Sequence, residues 1–196
     1  MVRPRKFDPR QVGEALLDVF WSRGYARASI GELSAATGLL RGSLYSAYGS
    51  KEDMFRAAIE IYVRNLTKAF ETNKTGLDAV EHVLKAVVSL TVSDPERRGC
   101  LILNAIPESH AMSSEMQAIL RRELNGMHAL YRAHLRAVQV DAQSVPDPLV
   151  AMVFAASVSI RVLGRAGQSQ KILRDIAKGA IEAAYRSFES TTKNKR

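Results

Sequence analysis

The sequence lacks the features of a secreted or membrane protein. Its 196 residues include one cysteine, Cys100, which excludes a disulfide framework within the chain. The longest uncharged stretch, residues 148–160, is shorter than the ~18 to 20 residues that a membrane span requires. The basic N-terminus is not followed by an apolar segment, which argues against a signal peptide. We therefore expect a soluble, cytoplasmic protein that does not associate with membranes.

Patterns typical of enzymes and metal sites are also absent. The four histidines have no metal-ligand spacing such as H-E-x-x-H, and no glycine-rich phosphate loop follows a strand. Glu52 and Asp53 fall in the first turn of a predicted helix, where the helix dipole explains their charge. Cys100 is the one candidate nucleophile, and no histidine is near it in the sequence. We expect no enzymatic activity, no metal and no cofactor.

What the chain does have is positive charge, concentrated near its start. The net charge is +8, and residues 1–51 hold eight Lys/Arg against four Asp/Glu. Such an excess suits a polyphosphate partner, because each phosphate that is neutralised releases condensed counterions. A basic surface kept for solubility is the alternative, and the charge by itself does not decide between them.

Apolar residues recur at helical spacing almost throughout, with no strand alternation and no internal repeat. This pattern predicts an all-α protein of about nine helices. The breaks in the pattern separate short helices over residues 1–50 from longer helices over residues 51–190, and we expect a disordered tail over 191–196. The predicted helices cover residues 8–23, 30–37, 41–48, 50–70, about 80–88, 100–109, 113–140, 147–165 and 168–190.

The short helices before residue 50 have the pattern of a helix-turn-helix. Ser29 and Glu32 form a capping box, in which each side chain satisfies the other's free backbone N–H. Gly38 supplies a turn that needs a positive φ. Leu44 can pack the second helix on the first. In this motif the second helix enters the major groove of DNA.

The exposed side of that second helix carries groups suited to DNA. Arg41 can pair with guanine, and Gly42 leaves room for close approach of a base or backbone. Tyr48 and Lys51 suit phosphates, and a basic N-terminal arm can reach a groove. The alternative is a polar helix on an ordinary surface. The predicted DNA contacts are Arg3, Arg5, Lys6, Ser29, Thr37, Arg41, Gly42, Ser43, Tyr45, Ser46, Tyr48 and Lys51.

The stretch FWSRGYARASIGELSAATGLLRGSLYSAYGSKEDMF resembles the DNA-binding head of the TetR family of transcriptional regulators. The resemblance runs over residues 8–56 without a gap. It departs from the family pattern where Leu40 replaces the usual serine cap and where Tyr48 replaces a phenylalanine. The departures leave the operator sequence open. The resemblance implies a DNA-binding head over residues 1–50 and a ligand-binding and dimerisation domain over residues 51–190, with dimerisation through the last two helices.

The C-terminal residues are compatible with both implications. Small residues on the last two helices predict a two-fold dimer interface, with burial inside the monomer as the alternative. Methionines and aromatics predict an apolar pocket, although each is also explained as plain core. The interface candidates are Ala151, Ala155, Ala156, Ser159, Leu163, Ile176, Ala180 and Ala184. The pocket candidates are Phe70, Leu103, Met112, Met116, Met127, Tyr131 and Met152.

The segment RRGCLILN resembles the G-C-L-x-x-N motif of a TetR subgroup that includes regulators responding to electrophiles or redox stress. Cys100 is predicted at a helix N-terminus beside Arg97 and Arg98, where dipole and cations favour a thiolate. Asn104 could bond the cap or a ligand. The hypotheses are a reactive sensor thiol and a buried small hydrophobe.

Together these observations predict a TetR-like homodimeric regulator, a repressor that binds a palindromic double-stranded operator and leaves it when an unknown small-molecule inducer binds. The alternative is an architectural DNA-binding protein that tolerates any sequence. The ratio of specific to random DNA affinity at fixed salt separates the two.

Overall fold

The computed structural model describes residues 7–136 and 147–193. Within those ranges the chain forms nine α-helices and one 3-10 helix, with no strand, and the predicted all-α fold is confirmed. The helices are α1 Pro9–Arg23, α2 Ile30–Thr37, α3 Arg41–Tyr48, α4 Lys51–Phe70, α5 Gly76–Ser93, α6 Leu101–Ala105, the 3-10 helix Ile106–Ala111, α7 Ser114–Arg136, α8 Asp147–Arg165 and α9 Gln170–Lys193.

One predicted helix is divided in two. The helix expected over residues 100–109 ends as α6 at Ala105, and Pro107 lies at the start of the 3-10 helix that follows. Proline has no N–H to continue the α-helical ladder, which explains the change. The predicted arm of Arg3, Arg5 and Lys6 and the predicted end of α7 lie outside the described residues.

The hydrophobic core consists of two clusters. The first joins α1, α2 and α3 to the first half of α4, to α6 and to the first half of α7. The second joins the end of α4 and the end of α7 to α5, α8 and α9. Leu66 and Phe154 pack against both clusters. Because the first cluster crosses residue 50, the head shares its core with the following helices, and the division into domains stays a prediction.

Helix α8 packs closely on α5. A Cβ at Gly164 of α8 would collide with the methyl group of Thr91, so glycine is required for this approach. Helix α8 is also long and apolar enough to cross a membrane by length and composition, contrary to our expectation that no segment is. Core helices of soluble proteins can have the same length and composition. In this structure, 44% of the most apolar 18-residue segment of α8 is buried.

Candidate nucleic-acid interface and interior cavities

The helix-turn-helix begins with the predicted capping box. The Glu32 N–H donates to Ser29 Oγ at 3.2 Å, and the Ser29 N–H donates to Glu32 Oε2 at 2.9 Å. The hydrogen bonds from Ser29 hold the pKa of the Glu32 carboxyl below its usual value. The cap is therefore fully formed, and it fixes where α2 starts.

The turn between α2 and α3 uses Gly38 and Thr37. Gly38 has φ 67° and ψ 8°, a left-handed conformation that favours glycine. The Thr37 hydroxyl donates to Leu33 O at 2.7 Å and accepts from the Leu39 N–H at 3.3 Å. Thr37 thus has a local role in closing the turn, which the sequence analysis did not foresee.

Helix α3 is anchored by one residue and open on its other side. Leu44 is fully buried in the first core cluster. A Cβ at Gly42 would meet nothing within 4 Å, so packing inside the protein does not require glycine there. The exposed residues of α3 are Arg41, Gly42, Ser43, Tyr45 and Ser46.

Leu40 belongs to this surface and was missed by the sequence analysis. It is the N-cap of α3 and makes no side-chain cap bond, and its side chain is 79% exposed. An apolar side chain at this position can contact a thymine methyl group. The signal that could have identified it was the absent serine cap.

Lys51 and Tyr48 are less available than predicted. Lys51 Nζ donates to Ala26 O at 3.3 Å and lies 4.7 Å from the centroid of the Tyr25 ring. Burial of the ammonium group lowers the pKa of Lys51. Tyr48 is half-buried against the first core cluster. A phosphate contact by Lys51 would therefore draw it from contacts that hold the head together.

The head is attached to α6 through the loop before it. Trp21 Nε1 donates to Gly99 O at 3.1 Å, and the Arg98 guanidinium lies 4.1 Å from the Trp21 ring centroid. Arg98 also pairs with Asp18 at 3.0 Å and with Asp94 at 3.2 Å. These contacts join α1 to the segment between α5 and α6.

Cys100 lies at a helix N-terminus as predicted, and it is buried, as the second of the two hypotheses for it requires. It is the N-cap of α6, 1% exposed, and part of the first core cluster. The Arg97 side chain bonds Gln168 O, and Arg98 bonds the aspartates named above. The arginines that were expected to favour a thiolate therefore point elsewhere. Asn104 Nδ2 donates to Arg98 O at 2.7 Å, so it closes the loop.

The pocket candidates divide into three groups. Phe70, Met127 and Tyr131 line a cavity of about 170 Å³ between α4 and α7, referred to below as the α4–α7 cavity. Leu103, Met112 and Met116 pack with the first core cluster. Met152 was wrongly predicted, because it lies exposed on α8. An apolar helix gives little information on its rotation, which explains the error.

A second cavity was not predicted. It has a volume of about 130 Å³, and its lining includes Tyr62, Leu66, Thr91 and Arg161; we call it the Arg161 cavity. Arg161 is 4% exposed, and neither of its terminal nitrogens has a hydrogen-bond partner. Arg161 ends an uncharged run and belongs to no motif, so nothing in the sequence marks it as a functional residue.

The dimer candidates are placed in three ways. Ala151 and Ala155 are exposed on α8, whereas Ala156, Ser159, Leu163 and Ile176 are half-buried. Ala180 and Ala184 are buried in the second core cluster of the same chain, so their assignment to an interface was wrong. Met152 and Val162 are also exposed on α8. Together with Ala151 and Ala155 they form the surface referred to below as the α8 face.

A capped helix, a glycine turn and an open second helix together define a helix-turn-helix DNA-binding protein. Residues 14–58 match the model of the bacterial regulatory proteins, tetR family. The HTH-type transcriptional regulator YezE of Bacillus subtilis (strain 168), itself uncharacterised, is 29% identical over 142 residues, covering 70% of this chain and 73% of YezE. The HTH-type transcriptional repressor ComR of Escherichia coli (strain K12) is 27% identical over 107 residues, covering 52% of this chain and 51% of ComR.

A solved structure extends the similarity to nearly the whole chain. A cysteine mutant of the TetR family transcriptional regulator CifR, complexed with 26-base-pair operator DNA, has a TM-score of 0.79 and 28% identity, covering 92% of this chain and 99% of that one. Residues 14–58 thus belong to the DNA-binding region of the tetR family, and the chain as a whole is similar to TetR-family transcriptional regulators. It is a DNA-binding regulator and not an enzyme.

Proposed function

We propose that this regulator is a cytoplasmic homodimeric repressor that leaves a palindromic operator when a small molecule or an electrophile acts on its C-terminal domain. The observation that carries the proposal is the shared first core cluster, which ties the head to α6 and α7. A ligand that moves these helices would move the head with them. Regulation then needs no change in the head itself.

The DNA contacts proposed for α3 are its exposed residues, with Ser29 at the start of α2. We add Leu40 to these contacts because its side chain is exposed at the start of α3. Thr37, Tyr48 and Lys51 were predicted from the sequence and remain candidates. The basic arm of Arg3, Arg5 and Lys6 completes the proposed surface. Support comes from CifR, whose similar structure was solved on operator DNA.

Operator binding is tested by fluorescence anisotropy with the chain's own promoter fragment and a shuffled duplex of equal length and composition. Both are measured at one salt concentration, because the phosphate contribution is salt-dependent. A regulator prefers the promoter by roughly 1,000-fold or more. Equal affinities would favour the architectural DNA-binding protein instead.

Dimerisation is proposed through the α8 face, since Ala151, Met152, Ala155 and Val162 recur on one side of the helix and are exposed. A two-fold axis there would present two heads to half-sites roughly 34 to 36 Å apart. Val162→Glu should give a monomer in light scattering. The matched control is Val92→Glu, which changes a valine that is also exposed but lies on α5. A dimer that survives Val162→Glu would refute this interface.

Cys100 is the candidate for an electrophile signal, and its burial favours the alternative of a core residue. The observation in favour of sensing is its contact with Tyr62, whose pKa is raised chiefly by burial and also by Cys100. DNA release by an alkylating probe such as N-ethylmaleimide should be lost in Cys100→Ser. Release that persists in this variant would leave the thiol with a packing role only.

A further inference from the structure

Arg161 is a buried cation without an acidic partner, and the Tyr131 hydroxyl is a polar group beside it. Arg161 lies on α8 with 4% of its surface exposed, and both terminal nitrogens lack a hydrogen-bond partner. Its guanidinium lies 5.5 Å from the centroid of the Phe70 ring. Burying an arginine without a counter-charge is strongly unfavourable, so the arrangement is incomplete as it stands.

None of the described groups around Arg161 provides a negative charge. Tyr62 and Phe70 face it from α4 and Tyr131 faces it from α7, and Cys100 and Ser157 contact these tyrosines. Burial raises the pKa of both tyrosines despite the nearby cation, so both phenols are neutral at physiological pH. Neither can serve as the counter-anion.

One carboxylate lies nearby, and it is already used. Asp94 lines the Arg161 cavity, but its Oδ2 accepts the Arg98 N–H at 2.6 Å and its Oδ1 accepts from Arg98 Nε at 3.2 Å. No ion pair between Arg161 and an acidic residue is formed within residues 7–136 and 147–193. The charge of Asp94 is therefore compensated by Arg98.

Space adjoins the unpaired cation. Arg161 lines its own cavity of about 130 Å³, and the α4–α7 cavity of about 170 Å³ shares Leu66 with it. Much of the remaining lining is apolar, from Leu17, Val87 and Leu90 on one side to Met127 and Leu130 on the other. Tyr131 Oη, also buried in this region, forms no hydrogen bond of normal geometry and has Ser157 and Arg161 as its polar neighbours.

We propose that Arg161 anchors an anionic ligand with an apolar body, a carboxylate the size of a short-chain or aromatic acid. A guanidinium fork matches the two oxygens of a carboxylate, and the Tyr131 hydroxyl is a further donor close to it. The apolar body then occupies the cavities. This inference rests on the proposed function in one respect, because it names the chemistry of the ligand that the C-terminal domain would bind.

The first experiment measures thermal stabilisation by hexanoate and benzoate, with hexanamide and benzamide as uncharged controls. A carboxylate at ~100 times its Kd should raise the Tm by ~5 to 10 °C. The amides should give no comparable shift. Equal stabilisation by acid and amide, or no stabilisation by either acid, would overturn the proposal.

Arg161→Met supplies the decisive variant, since methionine keeps an unbranched apolar side chain and removes the charge. It should lose the response to both acids, while Arg174→Met, the same change on an exposed part of α9, should retain it. Without ligand, Arg161→Met should have an unchanged or higher Tm, because an uncompensated charge is replaced by an apolar group. A lower Tm, or failure to fold, would mean that Arg161 has a structural role and would refute the proposal.

Tyr131→Phe provides a second, milder test. It removes the hydroxyl and keeps the ring, so the fold should survive while the affinity for hexanoate falls ~3- to 10-fold. An unchanged affinity would exclude Tyr131 as a donor to the ligand and contradict the proposed site.

Operator release is measured in parallel by anisotropy. If a carboxylate binds in an Arg161-dependent way but DNA is not released, this inference stands and the proposed release mechanism is refuted. Release by a neutral compound or by N-ethylmaleimide, together with no carboxylate binding, would refute the inference and leave the proposed function standing.

Discussion

The exposed face of α3 and the surroundings of Arg161 both carry polar groups that the described protein atoms leave without full hydrogen bonding. On α3 the groups face water, which satisfies them until DNA replaces it. Around Arg161 the groups are shut away from water, so only another molecule can satisfy them. An arginine is therefore solvated with little free-energy cost at exposed position 41, whereas at buried position 161 it destabilises the folded state. A free polar group indicates a binding site far more strongly when it is buried.

The largest effect that tests this contrast is expected on the affinity for operator DNA. Arg41→Ala should weaken operator binding by about 1–3 kcal/mol, roughly 5- to 150-fold, if the side chain pairs with a base. Its Tm should stay within a degree or two of the wild type because Arg41 is exposed. Anisotropy and thermal denaturation measure the two quantities. Intact affinity with a lowered Tm would reverse the assignment of Arg41 from a DNA contact to a structural residue.

Arg98 lies between the two regions and should affect folding. Arg98→Ala removes the stacking on Trp21 and the pairs with Asp18 and Asp94, with an expected loss of about 1–2 kcal/mol in unfolding free energy. Urea denaturation measures it. Arg97→Ala, at the exposed neighbour, is the control and should change stability by less than about 0.5 kcal/mol. If both variants lost the same unfolding free energy, the contacts of Arg98 would not be what attaches the head to the rest of the chain.

Gly42→Ala should produce two effects of opposite sign. A helical alanine is more stable than glycine by about 0.5–1 kcal/mol, and a Cβ here meets nothing in the protein. Operator binding should nevertheless weaken, because the methyl group occupies the space that DNA would enter. Stability and affinity are measured on the same preparation. A variant that is more stable and binds equally well would show that α3 does not approach DNA closely at Gly42.

The smallest effect concerns pH. Burial lowers the pKa of half-buried His134, so the folded chain binds this proton less readily than the unfolded chain, whose histidine titrates near ~6.5. The unfolded state holds more protons as the pH falls through that value, and stability decreases. Between pH 7.5 and 5.5 we expect His134→Gln to lose less stability than the wild type, with a difference below about 1 kcal/mol. Urea denaturation at each pH measures the unfolding free energy. An equal loss of stability in wild type and His134→Gln would show that His134 does not contribute to the pH dependence.

The sequence predicted the α3 region well because its signals are local. Ser29, Glu32, Gly38 and Leu44 lie within sixteen consecutive positions, and each acts through its own backbone or the neighbouring helix. The hydrogen bonds of Thr37 and the contact of Lys51 with Tyr25 were not predicted, since they depend on how the turns close in space.

The Arg161 region could not be predicted for a related reason. Its groups come from α4, α6, α7 and α8, which are brought together only by packing. Helices α8 and α9 also have small apolar residues on more than one side, so their rotation was undetermined. That is why Met152 was assigned to a pocket, and Ala180 and Ala184 to an interface. A single arginine after an apolar run gives no sign of whether it is buried.

The Arg98 carbonyl oxygen accepts hydrogen bonds from Asn104 Nδ2 at 2.7 Å and from Arg165 Nη1 at 2.9 Å, while its guanidinium reaches α1. One residue thus touches the DNA-binding head, α6 and the end of the helix that carries Arg161. Coupling through such a junction is thermodynamically reciprocal. If a carboxylate lowers the affinity for the operator by some factor, the operator must lower the affinity for that carboxylate by the same factor. Promoter-bound protein would then sense its inducer less sensitively than protein free in solution.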